Sequence, residues 1–169
     1  MLRLNDESLE TLFRHGEDEY PQECCGLLFS DGTVRRARNI QGELHDSDPA
    51  VYPRDATRGY TFSLEDLLIL EGSFSTDRPA VAIYHSHPDV GAYFSDEDRD
   101  KALFSGVPIY PVSYVVVDVR SGRAVGASQF SFIEGAYRCV GEYCRNSPGD
   151  VEERGPTDIG QSAIPASGG

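Results

Sequence analysis

The chain has 169 residues, 39% of them hydrophobic, which suits one domain with a sizeable core and excludes a wholly disordered chain. Fifteen basic against 28 acidic residues give a formal net charge of −13. That balance excludes a general binder of nucleic acid or of an anionic membrane surface, since both need a basic footprint.

The first predicted element is a helix from about Asp6 to Glu19, capped by Asn5 or Asp6, with Leu9, Leu12 and Phe13 on one face. Pro21 ends it. Cys24 to Phe29 is a short apolar run, Asp31-Gly32 a hairpin turn, and Thr33 to Ile40 the return strand. Gln41 to Tyr60 is polar, contains Pro49 and Pro53, and is expected as a loop. A second helix spans Ser63 to about Ser73, with Leu64, Leu67, Leu68 and Glu71 on one side and a capping-box pattern at Ser63-Leu64-Glu65-Asp66.

Ala80 to His87 is expected as a strand, flanked by Pro79 and Pro88. A third helix starts near Ser95 and stops before Gly106 and Pro108. Ser113 to Val119 carries the strongest strand pattern, closed by a Ser121-Gly122 turn, with Arg123 to Phe132 as its partner and Ala136 to Tyr143 as a further short strand. From Asn146 to Gly169 the composition changes: five of 24 residues are Gly, three Pro and three Ser. The expectation is a folded domain over 1–145 and a disordered tail over 146–169.

No run approaches the roughly 18 apolar residues of a membrane span. The opening MLRLNDESLE turns polar too soon for a secretory signal. The cysteines at 24, 25, 139 and 144 form no CxxC, and adjacent Cys24 and Cys25 would point to opposite faces of a strand. Reduced thiols in a cytoplasmic protein are expected. Lys101 is the only lysine, and the acidic, arginine-rich composition fits either adaptation to high salt or a GC-rich genome.

The chemistry concentrates in His85-Ser86-His87-Pro88, followed by Ser95-Asp96-Glu97-Asp98. Residues i and i+2 of a strand share a face, so both imidazoles point the same way, and one carboxylate would complete a divalent-metal site. Ser95-x-x-Asp98 alone fits a helix N-cap equally well, and Ser63-x-x-Asp66 has the same form with no histidine beside it. His15 and His45 stand alone and fit ordinary polar positions.

Taken jointly, HSHP, six residues, then SDED resembles the signature of the JAMM metallopeptidases, also called the MPN-plus or JAB family. Pro21-Gln22-Glu23-Cys24-Cys25-Gly26-Leu27-Leu28 looks like that family's glutamate-bearing first strand, and Asn39 and Tyr60-Thr61-Phe62 follow its layout. The choice of Glu23 among 28 acids rests on this resemblance alone.

The resemblance, to the small bacterial stand-alone type, implies an α/β fold with a curved, mixed, largely antiparallel sheet flanked by helices. It implies that His85, His87 and Asp98 hold Zn2+ with water in the fourth position. Glu23 would take that water's proton and pass it to the leaving amine, and Ser95 would donate to the oxyanion. Ser86 would face away as a structural residue.

The implied activity is hydrolysis of an amide or isopeptide bond at the C-terminus of a ubiquitin-like or sulfur-carrier protein ending in Gly-Gly. The alternatives are a non-catalytic MPN scaffold that binds protein partners and a metallopeptidase with a different peptide target. The 41–60 segment sits where family members vary. It is either an exposed variable loop or a source of binding residues such as Tyr52 and Arg54.

Overall fold

The computed structural model describes residues 3–156. Helix α1 (Asp6–Glu19) starts where Asn5 Oδ1 accepts the Ser8 N–H at 2.8 Å, and it buries Leu9, Leu12 and Phe13. The chain turns at Gly32, whose φ of +85° favours glycine, to join β1 (Cys25–Phe29) and β2 (Val34–Ala37). Helices α2 (Gln41–Ser47) and α3 (Leu64–Ser73) precede β3 (Ala80–Pro88). Helix α4 (Asp96–Ala102) leads into a short hairpin, β4 (Leu103–Phe104) and β5 (Val107–Pro108). Four strands complete the order: β6 (Ser113–Arg120), β7 (Arg123–Ile133), β8 (Ala136–Ser147) and β9 (Asp150–Arg154).

Seven strands form one sheet in the order β2-β1-β3-β6-β7-β8-β9. Only β3 and β6 pair in parallel, so the sheet is mixed and largely antiparallel, as expected. A parallel pair needs a crossover, and the 88–112 segment with α4 supplies it.

Strand alternation divides the core between the two faces of the sheet. One cluster joins Leu9, Leu12 and Phe13 of α1 to Cys24, Leu28, Tyr84, Val115 and Val117. The other joins Cys25, Leu27, Ile83 and Val116 to Tyr60, Phe62 and Leu70. Cys24 and Cys25 therefore do face opposite ways. Gly26 lies where backbone and ring crowd together, since a Cβ there would come within 2.3 Å of the Arg35 carbonyl oxygen and 2.4 Å of the Tyr84 ring. No helix among the described residues is long and apolar enough to cross a membrane.

Three expectations change. The 41–60 segment is not wholly irregular, because α2 forms within it and Gln41 Nε2 donates to the Arg54 carbonyl at 2.7 Å. In α3, Leu64 and Leu68 are exposed, while the packed side carries Asp66, Leu70 and Ser73. That face is set by an ion pair, Arg35 Nε to Asp66 Oδ1 at 2.8 Å, which hydrophobic spacing does not register. The helix expected from Ser95 is α4, which ends at Ala102, before Gly106 as expected, and the β4–β5 hairpin follows it.

The domain boundary also moves. Asn146 and Ser147 continue β8, and β9 pairs with it across a turn at Gly149, whose φ is +81°. The 146–169 composition averages this hairpin with the residues beyond Arg154. Residues 157–169, the remainder of the expected tail, lie outside the described residues.

Candidate active site

Two strands assemble the site through their register. Cys25 pairs with His85, so continuing that antiparallel ladder brings Glu23 beside His87. Glu23 has the parity of Cys25, and His85 and His87 that of Ile83, which puts all three on the sheet face covered by Tyr60. Ser86 has the opposite parity. Its Oγ accepts the Cys24 N–H at 2.8 Å, a structural role that locks the start of β1 to β3.

Helix α4 delivers the carboxylate. Ser95 caps it, its Oγ accepting from Asp98 N at 3.0 Å, while Asp98 Oδ2 accepts from Ser95 N at 2.9 Å and Ser95 Oγ at 2.6 Å. The cap reading of this motif is compatible with the ligand reading, because the capping carboxylate also faces the histidines. His85 Nε2 lies 3.1 Å from His87 Nε2 and 3.1 Å from Asp98 Oδ1, and His87 Nε2 lies 3.4 Å from Asp98 Oδ2.

These separations suit a metal. A tetrahedral ion with bonds of about 2.0–2.1 Å has edges of about 3.3–3.4 Å, close to the distances between these donor atoms. Among the described residues His85, His87 and Asp98 form the one such group able to hold a metal ion. His87 Nδ1–H donates to the Gly91 carbonyl at 2.9 Å, which leaves Nε2 with its lone pair toward the group. His85 stacks on Tyr60 with ring centroids 4.6 Å apart, and Tyr93 meets His87 edge-on at 5.0 Å. His15 and His45 stay outside: His15 hydrogen-bonds the Tyr84 hydroxyl, and His45 bonds the Tyr52 carbonyl.

The charge states of His85 and Asp98 also fit. Burial pushes His85 down toward the neutral imidazole that metals bind. Burial alone would raise Asp98, but His85, His87 and Ser95 outweigh it and hold the carboxylate far below its usual range. Burial works the other way on His87, where hydrogen bonding to Asp98 and the charge of Glu23 leave a net upward shift.

Glu23 is buried, and that burial pushes its carboxyl up to about 8, with His87 working against it. Its backbone is pinned from both sides. Glu23 N donates to the Ala56 carbonyl at 2.7 Å, and Asn39 Nδ2 donates to the Glu23 carbonyl at 2.9 Å. Glu23, His87 and Ser95 line one cleft of about 490 Å³, together with Arg54, Thr57, Arg58, Val90 and Tyr93. Tyr60, Gly91 and Tyr93 are the positioning residues that motif spacing did not assign, because their roles depend on loops folding back.

The model of the prokaryotic homologs of the JAB domain matches residues 6–131, a span that contains Glu23, both histidines, Ser95 and Asp98. The chain belongs to the prokaryotic JAB-domain family. This JAB domain is 31% identical over 110 residues to the desampylase of Haloferax volcanii, covering 62% of this chain and 75% of that protein. It is 26% identical over 137 residues to the CysO-cysteine peptidase of Mycobacterium tuberculosis, covering 80% and 86%.

Tail tip assembly protein K of Escherichia phage N15 is 27% identical over 144 residues, and the matched part is 82% of this chain but only 53% of the phage protein. Among solved structures, a Salinibacter ruber protein superposes with a TM-score of 0.52 at 24% identity, covering 82% of this chain and 88% of that one. A Desulfitobacterium hafniense protein gives 0.55 at 21%, covering 82% and 89%. These two likenesses establish the α/β fold of the JAB domain.

Proposed function

We propose that this JAB domain is a zinc-dependent peptidase or isopeptidase acting on a ubiquitin-like sulfur-carrier protein. It would hydrolyse the amide bond on the far side of the carrier's C-terminal Gly-Gly. The observation that carries the reading is the convergence of two imidazole nitrogens and a carboxylate within 3.1–3.4 Å, beside a buried glutamate in an open cleft. The desampylase and CysO-cysteine peptidase among its relatives support the substrate class.

His85, His87 and Asp98 would hold zinc, which supplies an open fourth position for water and lowers that water's pKa toward about 7. Glu23 stands beside His87, where it takes a proton from the attacking water and carries it to the leaving amine. A carboxyl raised by burial is suited to both steps, since its affinity for a proton lies near the working pH. Ser95 keeps Asp98 Oδ2 through its N–H while its hydroxyl turns from Asp98 to the developing oxyanion. Asn39 and the Ala56 carbonyl hold the Glu23 backbone still during the transfer. Four free cysteines fit action in a reducing cytoplasm.

The test is to incubate the zinc-loaded chain with carrier conjugates, with and without chelator, and to track the carrier's mass. The expected result is chelator-sensitive loss of the group after Gly-Gly. Glu23→Gln is expected to retain zinc yet turn over at least ~100-fold more slowly. No chelator-sensitive mass change with any conjugate would support the non-catalytic scaffold instead.

A further inference from the structure

We infer that Arg58 binds a carboxylate on the leaving group, so that the group released is an α-amino acid with its α-carboxylate free rather than a lysine within a protein. This rests on the peptidase reading and adds the class of leaving group to it. The cleft that holds Glu23 and His87 also holds Arg54 and Arg58, on a chain whose net charge is −13. Arg54 is engaged with Glu97, which Lys101 also contacts at 3.2 Å. Arg58 is exposed and makes no ion pair among the described residues.

The nearby acids accept from other donors, and Arg58 acts on Asp55 through its charge alone, with no ion-pair contact among the described residues. Asp55 Oδ1 accepts from Thr57 N at 2.9 Å and from Thr57 Oγ1 at 2.6 Å. Asp89 accepts from the Tyr20 hydroxyl at 2.8 Å and from Ser121 N at 2.7 Å. Arg58 thus lines the cleft as an exposed cation with no ion pair among the described residues, and a carboxylate matches a guanidinium in charge and in two-pronged geometry.

The side of the cleft identifies which part of the substrate Arg58 meets. The 54–58 segment is bonded to Glu23 through the Ala56 carbonyl, so the arginines belong to the wall that carries the proposed proton donor. The leaving amine must come to Glu23 to collect its proton. In an α-amino acid the carboxylate carbon lies only about 2.5 Å from that nitrogen, so both groups arrive at the same wall. In an isopeptide the amine is a lysine Nζ, and its backbone carboxyl is far away and already in a peptide bond.

The whole-molecule field makes the test discriminating, because a −13 chain repels a carboxylate in general. Two carrier-tail peptides ending in Gly-Gly-Ala are compared, one with a free α-carboxylate and one with an α-carboxamide. The zinc-loaded chain is expected to prefer the acid by about 10–100-fold in kcat/KM, and Glu23→Gln is expected to bind it tighter by a similar factor in calorimetry. Arg58→Ala is expected to bring both ratios to within about twofold of one, with Arg58→Lys between.

Ratios near one in the unaltered chain, or ratios that survive Arg58→Ala, overturn the assignment. Selective binding lost in Arg58→Ala, with neither peptide cleaved, upholds the carboxylate site and rejects the peptidase reading.

Discussion

His15 Nδ1 and the Tyr84 hydroxyl share a hydrogen bond of 2.7 Å in the buried core. Burial pushes His15 down to about 4, Arg36 adds to the shift, and Asp18 opposes it. Glu19 lies 4.0 Å from the other ring nitrogen. Between about pH 6.5 and 4 the unfolded chain holds the proton and the folded chain does not, so stability falls as pH falls through that window. The span of 2.5 units corresponds to about 3 kcal/mol. Denaturant titrations from pH 7.5 to 4 are expected to show His15→Gln losing less stability than the unaltered chain over this range. Parallel stability curves for the two would remove His15 as the source. The sequence marked His15 only as a lone polar residue, because the burial that decides its state comes from packing against distant residues, Tyr84 among them 69 positions away.

Ser63-x-x-Asp66 and Ser95-x-x-Asp98 begin α3 and α4 with the same local cap, and Ser63 and Ser95 bond their aspartates at 2.6 Å in both. The elements part company in what the carboxylate faces. Asp66 accepts from Arg35 Nε at 2.8 Å and Arg38 N at 3.0 Å, tying α3 to β2, whereas Asp98 faces His85 and His87. Asp66→Ala is expected to destabilise the chain by about 2–4 kcal/mol, through loss of the carboxylate's bonds from Ser63 Oγ, Arg35 Nε and Arg38 N, and to leave zinc stoichiometry unchanged. Asp98→Ala is expected to lower zinc content measured by mass spectrometry. Equal zinc in both variants would sink the ligand assignment. The pair also shows why the site was partly legible in the sequence. Spacing within one strand singled out the two histidines, while Ser95-x-x-Asp98 alone read equally as a cap and gained a ligand reading only through the joint pattern and the resemblance. Glu23 needed the β1–β3 register, a long-range pairing that no local pattern encodes, and only the family resemblance named it.

Across the whole molecule, local patterns marked most elements, and long-range contacts decided how far the fold extends. Arg145 stood at the expected end of the domain, yet its side chain is only 5% exposed and closes the fold from within. Its guanidinium donates to Glu10 at 2.7 and 3.2 Å and to Glu17 at 2.6 Å, and it lies 5.3 Å over the Phe13 ring. These contacts clamp β8 to α1 across at least 128 positions of sequence. They hold the far side of the sheet against the helix that packs on β6 and β7. Removing the cation leaves Glu10 with Arg14 and Gly149 N, and Glu17 with Ala124 N, so the acids are weakened rather than orphaned. Arg145→Met is therefore expected to cost about 2–3 kcal/mol, below the full penalty for breaking a buried pair. Arg145→Lys should recover part of this, since one ammonium cannot fork between two carboxylates. The loss should persist when denaturation is repeated in 1 M rather than 0.1 M KCl, because salt screens exposed pairs far more than enclosed ones. A cost that disappears in 1 M salt would demote Arg145 to a surface ion pair and leave the packing of α1 on the sheet to its apolar face alone.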